Sequence, residues 1–115
     1  MKLELKENMY YRTYSGFINK ITSIKDFNER EYLLNGFYVN KDTIKKASYN
    51  IIDILEVGDY VNGQKIINII PIDICGNEIL DNQHIFTKDG EIFENKIKSI
   101  VTKEQMEQMA YKVGE

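Results

Sequence analysis

Histidine and cysteine, the side chains best suited to catalysis and metal binding, occur once each, as His84 and Cys75. One histidine without a neighbouring cysteine cannot form a zinc site unless several carboxylates join it. No serine or cysteine stands with His84 in a recognisable nucleophile arrangement. We therefore expect His84 to be a surface or loop residue before a strand, and Cys75 to be a small buried side chain.

The acidic residues Asp53, Glu56 and Asp59 surround a turn, where carboxylates could hold a metal ion or act as an acid–base pair. The sequence contains no EF-hand pattern, Gly-rich phosphate loop, CxxC pair, HExxH or GxSxG motif. We interpret the three carboxylates as solvated turn residues, with Asp59, which follows Gly58, serving the turn itself. The sequence thus predicts no metal site, no cofactor and no enzymatic activity.

Binding chemistry is most concentrated at Tyr10, Arg12 and Tyr14, which alternation on a strand would place on one sheet face. Two rings beside a guanidinium could stack on a base or bind a phosphate. Lys45 and Lys46 are candidate neighbours of this surface. The positive N-terminal half favours an acidic protein surface or a small phosphorylated ligand. In the alternative, Tyr10 and Tyr14 cover the core and Arg12 lies at its edge.

Charge and hydropathy exclude several classes of function. The net charge of −3 argues against nucleic-acid binding, although residues 1–50 carry nine Lys and Arg against six Asp and Glu. No apolar run approaches the roughly 20 residues that cross a bilayer. The first seven residues alternate charged and apolar types, unlike a signal peptide. With a single cysteine, these features predict a cytoplasmic protein that does not contact membranes.

Short turn signals divide the chain into hairpins. Asn-Gly and Asp-Gly pairs tolerate the positive φ angles that two-residue hairpin turns require. The four signals are Ser15-Gly16, Asn35-Gly36, Asn62-Gly63 and Asp89-Gly90. They predict strands over residues 9–14, 17–24, 32–34, 37–39, 49–55, 59–61, 65–74, 85–87, 91–93 and 97–101. The isoleucine-rich stretch 66–70 predicts a central strand buried on both faces.

One helix is predicted near the C-terminus, from about residue 102 to 113. Thr102 and Gln105 form a capping box at its start. An apolar stripe follows at helical spacing, formed by Met106, Met109, Ala110 and Val113. A shorter helical turn is expected over residues 42–46.

These elements predict a mainly β (α+β) fold with one C-terminal helix. Its strands would form a hairpin-rich SH3-like barrel or small antiparallel sheets. Length favours a single domain over residues 1–115. An internal echo suggests two related β-units, 9–55 and 58–101, because a strand, a Gly turn and an Ile-rich strand recur about 50 residues apart in the sequence.

Three segments carry a family resemblance: the opening 9–16, the run 44–63 (IKKASYNIIDILEVGDYVNG) and the tail 97–106 (IKSIVTKEQM). They resemble small uncharacterised proteins of phages and prophages of low-GC Gram-positive bacteria. The resemblance implies a phage accessory protein in the host bacterial cell, and it assigns no functional residue.

The leading hypothesis is a non-enzymatic binding protein. It would inhibit a host protein, for instance one of a defence system, or sequester a small signalling ligand. The alternatives are a nucleic-acid-associated SH3-like protein and a structural component of the virion. Open strand edges would also allow a homo-oligomer.

Overall fold

A computed structural model describes residues 4–70 and 83–109 of the 115-residue chain. The chain divides into two compact units, unit 1 (residues 1–54) and unit 2 (residues 55–115). The described strands form four three-stranded antiparallel sheets and no closed barrel, and a helix follows the last strand. The predicted mainly β class is therefore confirmed, in its form of small antiparallel sheets.

Unit 1 contains six strands and two 3-10 helices. The strands are β1 (Tyr10–Thr13), β2 (Ile18–Lys20), β3 (Ile24–Asp26), β4 (Glu31–Leu34), β5 (Phe37–Asn40) and β6 (Ile44–Ser48). The 3-10 helices are Lys41–Thr43 and Ile51–Ile54. One sheet has the order β2-β1-β6 and the other β3-β4-β5. Among the described residues, the outer strands β2, β6, β3 and β5 are therefore each paired on one side only.

Unit 2 contains six strands, one 3-10 helix and one α-helix. The strands are β7 (Tyr60–Val61), β8 (Gln64–Lys65), β9 (Asn68–Ile70), β10 (His84–Thr87), β11 (Gly90–Ile92) and β12 (Ile100–Val101). The 3-10 helix is Glu94–Lys96, and α1 is Lys103–Met109. The sheets have the orders β12-β7-β8 and β11-β10-β9.

The two units share one topology. In each, the first hairpin pairs with the last strand, and the three strands between them form a meander with a 3-10 helix after it. The same two backbone bonds close each first hairpin. In unit 1, Asn8 N donates to Ile21 O (2.8 Å) and Ile21 N donates to Met9 O (2.7 Å). In unit 2, Gly58 N donates to Ile66 O (2.9 Å) and Ile66 N donates to Asp59 O (2.7 Å). Ile21 and Ile66 are both fully buried.

The core of unit 1 lies between its two sheets. Its buried members are Leu5, Tyr11, Ile21, Tyr32, Leu34 and Ile44. Tyr11 and its ladder partner Ala47 point to this side of the sheet β2-β1-β6. Arg12 and Lys46, which are paired one position along, therefore point to the other side. The ladder shifts register between Arg12 and Thr13, and Lys45 is the extra residue of this bulge.

We expect replacement of Tyr11 by phenylalanine to flatten the alkaline loss of stability. Burial raises the pKa of the Tyr11 phenol above its ordinary value of 10.0. The folded state thus keeps the proton that the unfolded chain releases, so stability falls as the pH rises above about 10. Tyr11 contributes up to about 1.4 kcal/mol per pH unit to this fall. Urea unfolding at a series of alkaline pH values measures the slope.

Tyr49→Phe is the matched control, because the Tyr49 ring is 59 % exposed. The control should leave the slope unchanged. An unchanged slope in Tyr11→Phe would contradict the prediction.

Several predicted elements fall where the sequence placed them, and three do not. The capping box is present, since Thr102 Oγ1 accepts the Gln105 amide at 3.2 Å and Gln105 Oε1 accepts the Thr102 amide at 3.1 Å. The strand predicted over 49–55 is wrong. Residues Ile44–Ser48 form the strand, and the 3-10 helix Ile51–Ile54 follows it. Asn50 precedes this helix, and its Oδ1 accepts the Ile52 amide at 3.1 Å. The turn expected over 42–46 is correspondingly a 3-10 helix over Lys41–Thr43.

The stretch 66–70 is also not a central strand buried on both faces. Ile66 is fully buried, but Ile67 is 57 % exposed. In the three-stranded sheet that the described residues form, β9 is an outer strand and β10 is central. Cys75, the segment 71–74 and the predicted helix positions beyond Met109 lie outside the described residues. Within the described part of the chain, no helix is long and apolar enough to cross a membrane.

Candidate functional site

Arg12, the centre of the predicted binding surface, lies fully buried in unit 1. Its Nη1 donates to the carbonyl oxygen of Ile54 at 3.1 Å, at the end of the 3-10 helix Ile51–Ile54. A cation is favoured there because the last carbonyls of a helix carry partial negative charge. The structure thus places the Arg12 side chain inside the fold and not at an exposed surface.

The other four residues of the predicted surface separate into different surroundings. Tyr14 is 63 % exposed and Lys45 Nζ lies 5.9 Å from its ring centroid, within cation–π range. Tyr10 is half-buried, as is Lys46, which pairs with Arg12 across the ladder. Exposed Tyr14 and half-buried Lys45 therefore form a pair. A binding role for any of the five residues stays a prediction.

The acidic residues Asp53, Glu56 and Asp59 have structural partners. Asp59 is fully buried, and its carboxylate accepts the Glu56 amide at 2.6 Å and the Lys103 amide at 2.9 Å. Asp53 Oδ2 accepts the Ser48 hydroxyl at 2.8 Å. The interpretation of Asp59 as a turn residue agrees with this geometry, but Asp59 and Glu56 are buried and not solvated.

Two further pairs of titratable side chains lie in unit 2. Lys103 Nζ lies 2.8 Å from Glu56 Oε1, and this hydrogen bond raises the pKa of Lys103 above its ordinary 10.5. His84, the first residue of β10, has Nδ1 at 2.6 Å from Glu91 Oε2. Across residues 4–70 and 83–109, no group of three His, Cys, Asp or Glu side chains could hold a metal ion.

Unit 1 also contains a groove of about 540 Å³, which we call the aromatic groove. It lies beside β5 and the turn between β1 and β2. Its lining residues are Tyr11, Thr13, Ser15, Phe17, Asn19, Leu34, Asn35, Phe37, Tyr38, Val39, Asn40 and Thr43. None of them is charged. A groove of this volume, with apolar walls and a few amide and hydroxyl groups, is typical of a ligand site.

Aromatic side chains give the aromatic groove its character. Phe37 is 74 % exposed, Tyr38 60 % and Phe17 46 %. The ring of Phe17 stands 6.0 Å from that of buried Tyr11, and the ring of Tyr38 stands 4.9 Å edge-on to that of Phe27. Contiguous exposure of such rings is costly unless something covers them, so this surface is the candidate binding site.

Asn35 fixes the turn that presents Phe37. Its backbone has φ of 52°, a left-handed value that asparagine tolerates better than most residues. Its Oδ1 accepts the amides of Thr22 (2.7 Å) and Ser23 (3.1 Å), and its Nδ2 donates to Lys20 O (2.8 Å). The turn between β4 and β5 is thereby tied to the link between β2 and β3. The wall of the groove is held in place without a charged residue.

The sequence carried a signal for this groove that charge-based reasoning missed. An aromatic residue follows the glycine of each of the first two turns, as Gly16-Phe17 and Gly36-Phe37. Aromatic residues directly after a hairpin turn stand at the end of a sheet, where the core no longer covers them. Neither protein-family models, nor curated proteins, nor solved structures give a match to this chain.

Proposed function

We propose that the protein is a non-enzymatic binding protein that captures an uncharged segment of another protein in the aromatic groove. The observation that supports this most is the groove itself, about 540 Å³ in volume, with three exposed aromatic rings and no charge among its described lining residues. Aromatic residues dominate binding energy at protein interfaces because they bury a large area with little loss of conformational freedom.

The absence of lining charge favours a protein segment over the other ligands considered. A phosphorylated ligand or a nucleic acid needs Lys or Arg to replace the water and counterions around each phosphate. The described lining residues supply amide, hydroxyl, aromatic and aliphatic groups and no cation. The resemblance to phage and prophage proteins favours a protein of the bacterial host as the partner, met in the cytoplasm.

We further propose that both units are SH3-like. In each, the second strand is interrupted and then joins the other sheet, and a 3-10 helix precedes the last strand. That order is the one expected for small SH3-like folds, although the described sheets do not close into a barrel. A shared fold says nothing about shared ligands, so the proposed activity concerns only the groove of unit 1.

Replacing Phe37 by alanine should weaken binding of a groove ligand by about 30-fold, the loss typical of a hot-spot aromatic residue. Phe37 is mostly exposed, so the variant should fold. The measurement is selection of uncharged peptides from a displayed random library on the intact chain, followed by titration of the selected peptides.

Phe93→Ala is the matched control, since Phe93 is 58 % exposed and lies in unit 2. It should bind the selected peptides as the unaltered chain does. Equal affinity for Phe37→Ala, or failure to select any peptide, would contradict the proposed function.

A further inference from the structure

We infer that the bound segment is an extended strand that pairs with the free edge of β5. This inference rests on the proposed function and adds how the partner is held. Recognition through backbone hydrogen bonds requires an open strand edge that faces the binding groove and has unused amide and carbonyl groups. Strand β5 meets these conditions.

The register shows which groups of β5 point outward. A two-residue turn joins Leu34 to Phe37, so these two residues form a hydrogen-bonded pair. Bonded and non-bonded pairs alternate along an antiparallel ladder. Leu33 and Tyr38 are therefore a non-bonded pair, and the amide and carbonyl of Tyr38 point away from β4. The bond from Lys41 N to Arg30 O at 2.8 Å agrees with this alternation.

The outward edge of β5 borders the aromatic groove. All four residues of β5 line the groove, whereas a groove on one sheet face would touch only alternate residues. The next outward carbonyl, that of Asn40, already accepts the Thr43 hydroxyl at 2.7 Å. Within the part of the chain that the structure describes, no hydrogen bond occupies the outward groups of Tyr38, so pairing would centre on this residue.

Strand β5 also lacks the features that normally protect an edge. It contains no proline, no lysine and no bulge, and its sequence Phe-Tyr-Val-Asn suits a strand. The β1–β2 hairpin contributes Thr13 and Phe17 to the lining of the same groove. A segment paired with β5 at the usual spacing of about 4.8 Å would lie against this lining, in which none of the described residues is charged. The occupant that we infer is therefore an uncharged, extended segment of a different protein.

A peptide without charges tests the inference directly. The probe is a hexapeptide of alternating valine and threonine with acetylated and amidated ends. The matched probe carries an N-methyl group on every residue, which removes the amide donors on both edges and keeps the side chains. In ¹⁵N NMR titrations at millimolar peptide, the unmodified probe should shift the β5 amides and slow hydrogen exchange at Tyr38. The methylated probe should bind about tenfold more weakly or not at all.

Two variants at one position separate the backbone from the side chain. Tyr38→Pro removes the outward amide without removing a bond to β4, and Tyr38→Val keeps that amide. Peptide binding should be lost in Tyr38→Pro but only weakened in Tyr38→Val, which removes a ring of the groove and keeps the outward amide. Circular dichroism and NMR spectra of the free variants establish that both are folded.

Any outcome that differs from these expectations contradicts the pairing of a partner's strand with β5. Two such outcomes also bear on the proposed function. If both probes bind equally and Phe37→Ala weakens both, the groove binds its ligand but not through the edge of β5. If neither probe shifts the β5 amides, or if binding survives Tyr38→Pro, strand addition is wrong. If Phe37→Ala changes nothing for the selected peptides, the proposed function itself fails. If β5 shifts only with protein concentration, the occupant is a second copy.

Discussion

Replacement of Asp59 by alanine should lower the free energy of unfolding of unit 2 by about 3 kcal/mol or more, because two charge-assisted hydrogen bonds of about 1.5–3 kcal/mol each are lost. Asp59 is fully buried, and its two carboxylate oxygens accept the backbone amides of Glu56 and Lys103. The first bond closes the turn before β7, and the second holds the first residue of α1. Without the carboxylate, two part-buried amides lose their acceptor.

Two further variants refine the test. Asp59→Asn keeps one acceptor oxygen but turns an NH₂ group toward the other amide, so it should lose at least half of the stabilisation. Asp89→Ala removes an exposed carboxylate of the same unit and should cost less than about 0.5 kcal/mol. Urea unfolding gives the free energies, and hydrogen exchange at the α1 amides should speed up in Asp59→Ala. A loss below about 1 kcal/mol would show that the two bonds are replaced by water.

The topological match between the units makes Asp59 equivalent to Met9. Both residues accept the amide of the buried isoleucine that ends the first hairpin. Their side chains also accept the amide three residues earlier, through Met9 Sδ from Lys6 at 3.2 Å and through Asp59 Oδ2 from Glu56 at 2.6 Å. The same turn is thus closed by a weak sulfur acceptor in unit 1 and by a strong carboxylate in unit 2. In unit 2, the other carboxylate oxygen of Asp59, Oδ1, also accepts the amide of Lys103, the first residue of α1.

The sequence predicted what local chemistry determines. Turn signals such as Asn35-Gly36 and Asn62-Gly63 have left-handed asparagines with φ of 52° and 53°, as two-residue hairpins require. The capping box of α1 likewise depends on residues three positions apart. These features need no tertiary contact, and they gave the mainly β class and the start of the helix.

Features that depend on tertiary contacts were not predictable in the same way. Residues 49–55 are rich in β-formers, yet the Asn50 side chain and the Asp53-to-Asn50 backbone bond of 3.0 Å make a 3-10 helix. The burial of Arg12 depends on the carbonyl of Ile54, 42 positions along the chain. Periodicity places Arg12 on a sheet face, but only the packing of the 3-10 helix Ile51–Ile54 on that face shows that it is covered.

Arg12→Ala should destabilise unit 1 by about 3 kcal/mol, the usual cost of truncating a large buried side chain. The Arg12 stem fills space between β1 and the 3-10 helix Ile51–Ile54, and its Nη1 donates to the last carbonyl of that helix. Alanine would leave both a cavity and a carbonyl without this donor. Arg12→Met refills most of the space, so it should lose less than Arg12→Ala, about 2 kcal/mol, the value of a charge-assisted hydrogen bond.

Tyr14→Ala is the control, because Tyr14 lies nearby on the chain but is mostly exposed. It should change the free energy of unfolding by less than about 0.5 kcal/mol. Urea unfolding of the three variants, with peptide binding measured on each folded chain, separates stability from recognition. Because Arg12 is buried and lines no part of the aromatic groove, Arg12→Met should bind the groove peptides with unchanged affinity. If Arg12→Ala keeps its full stability but loses peptide binding, the prediction is wrong. Arg12 would then belong to the binding surface that the alternation along β1 predicted.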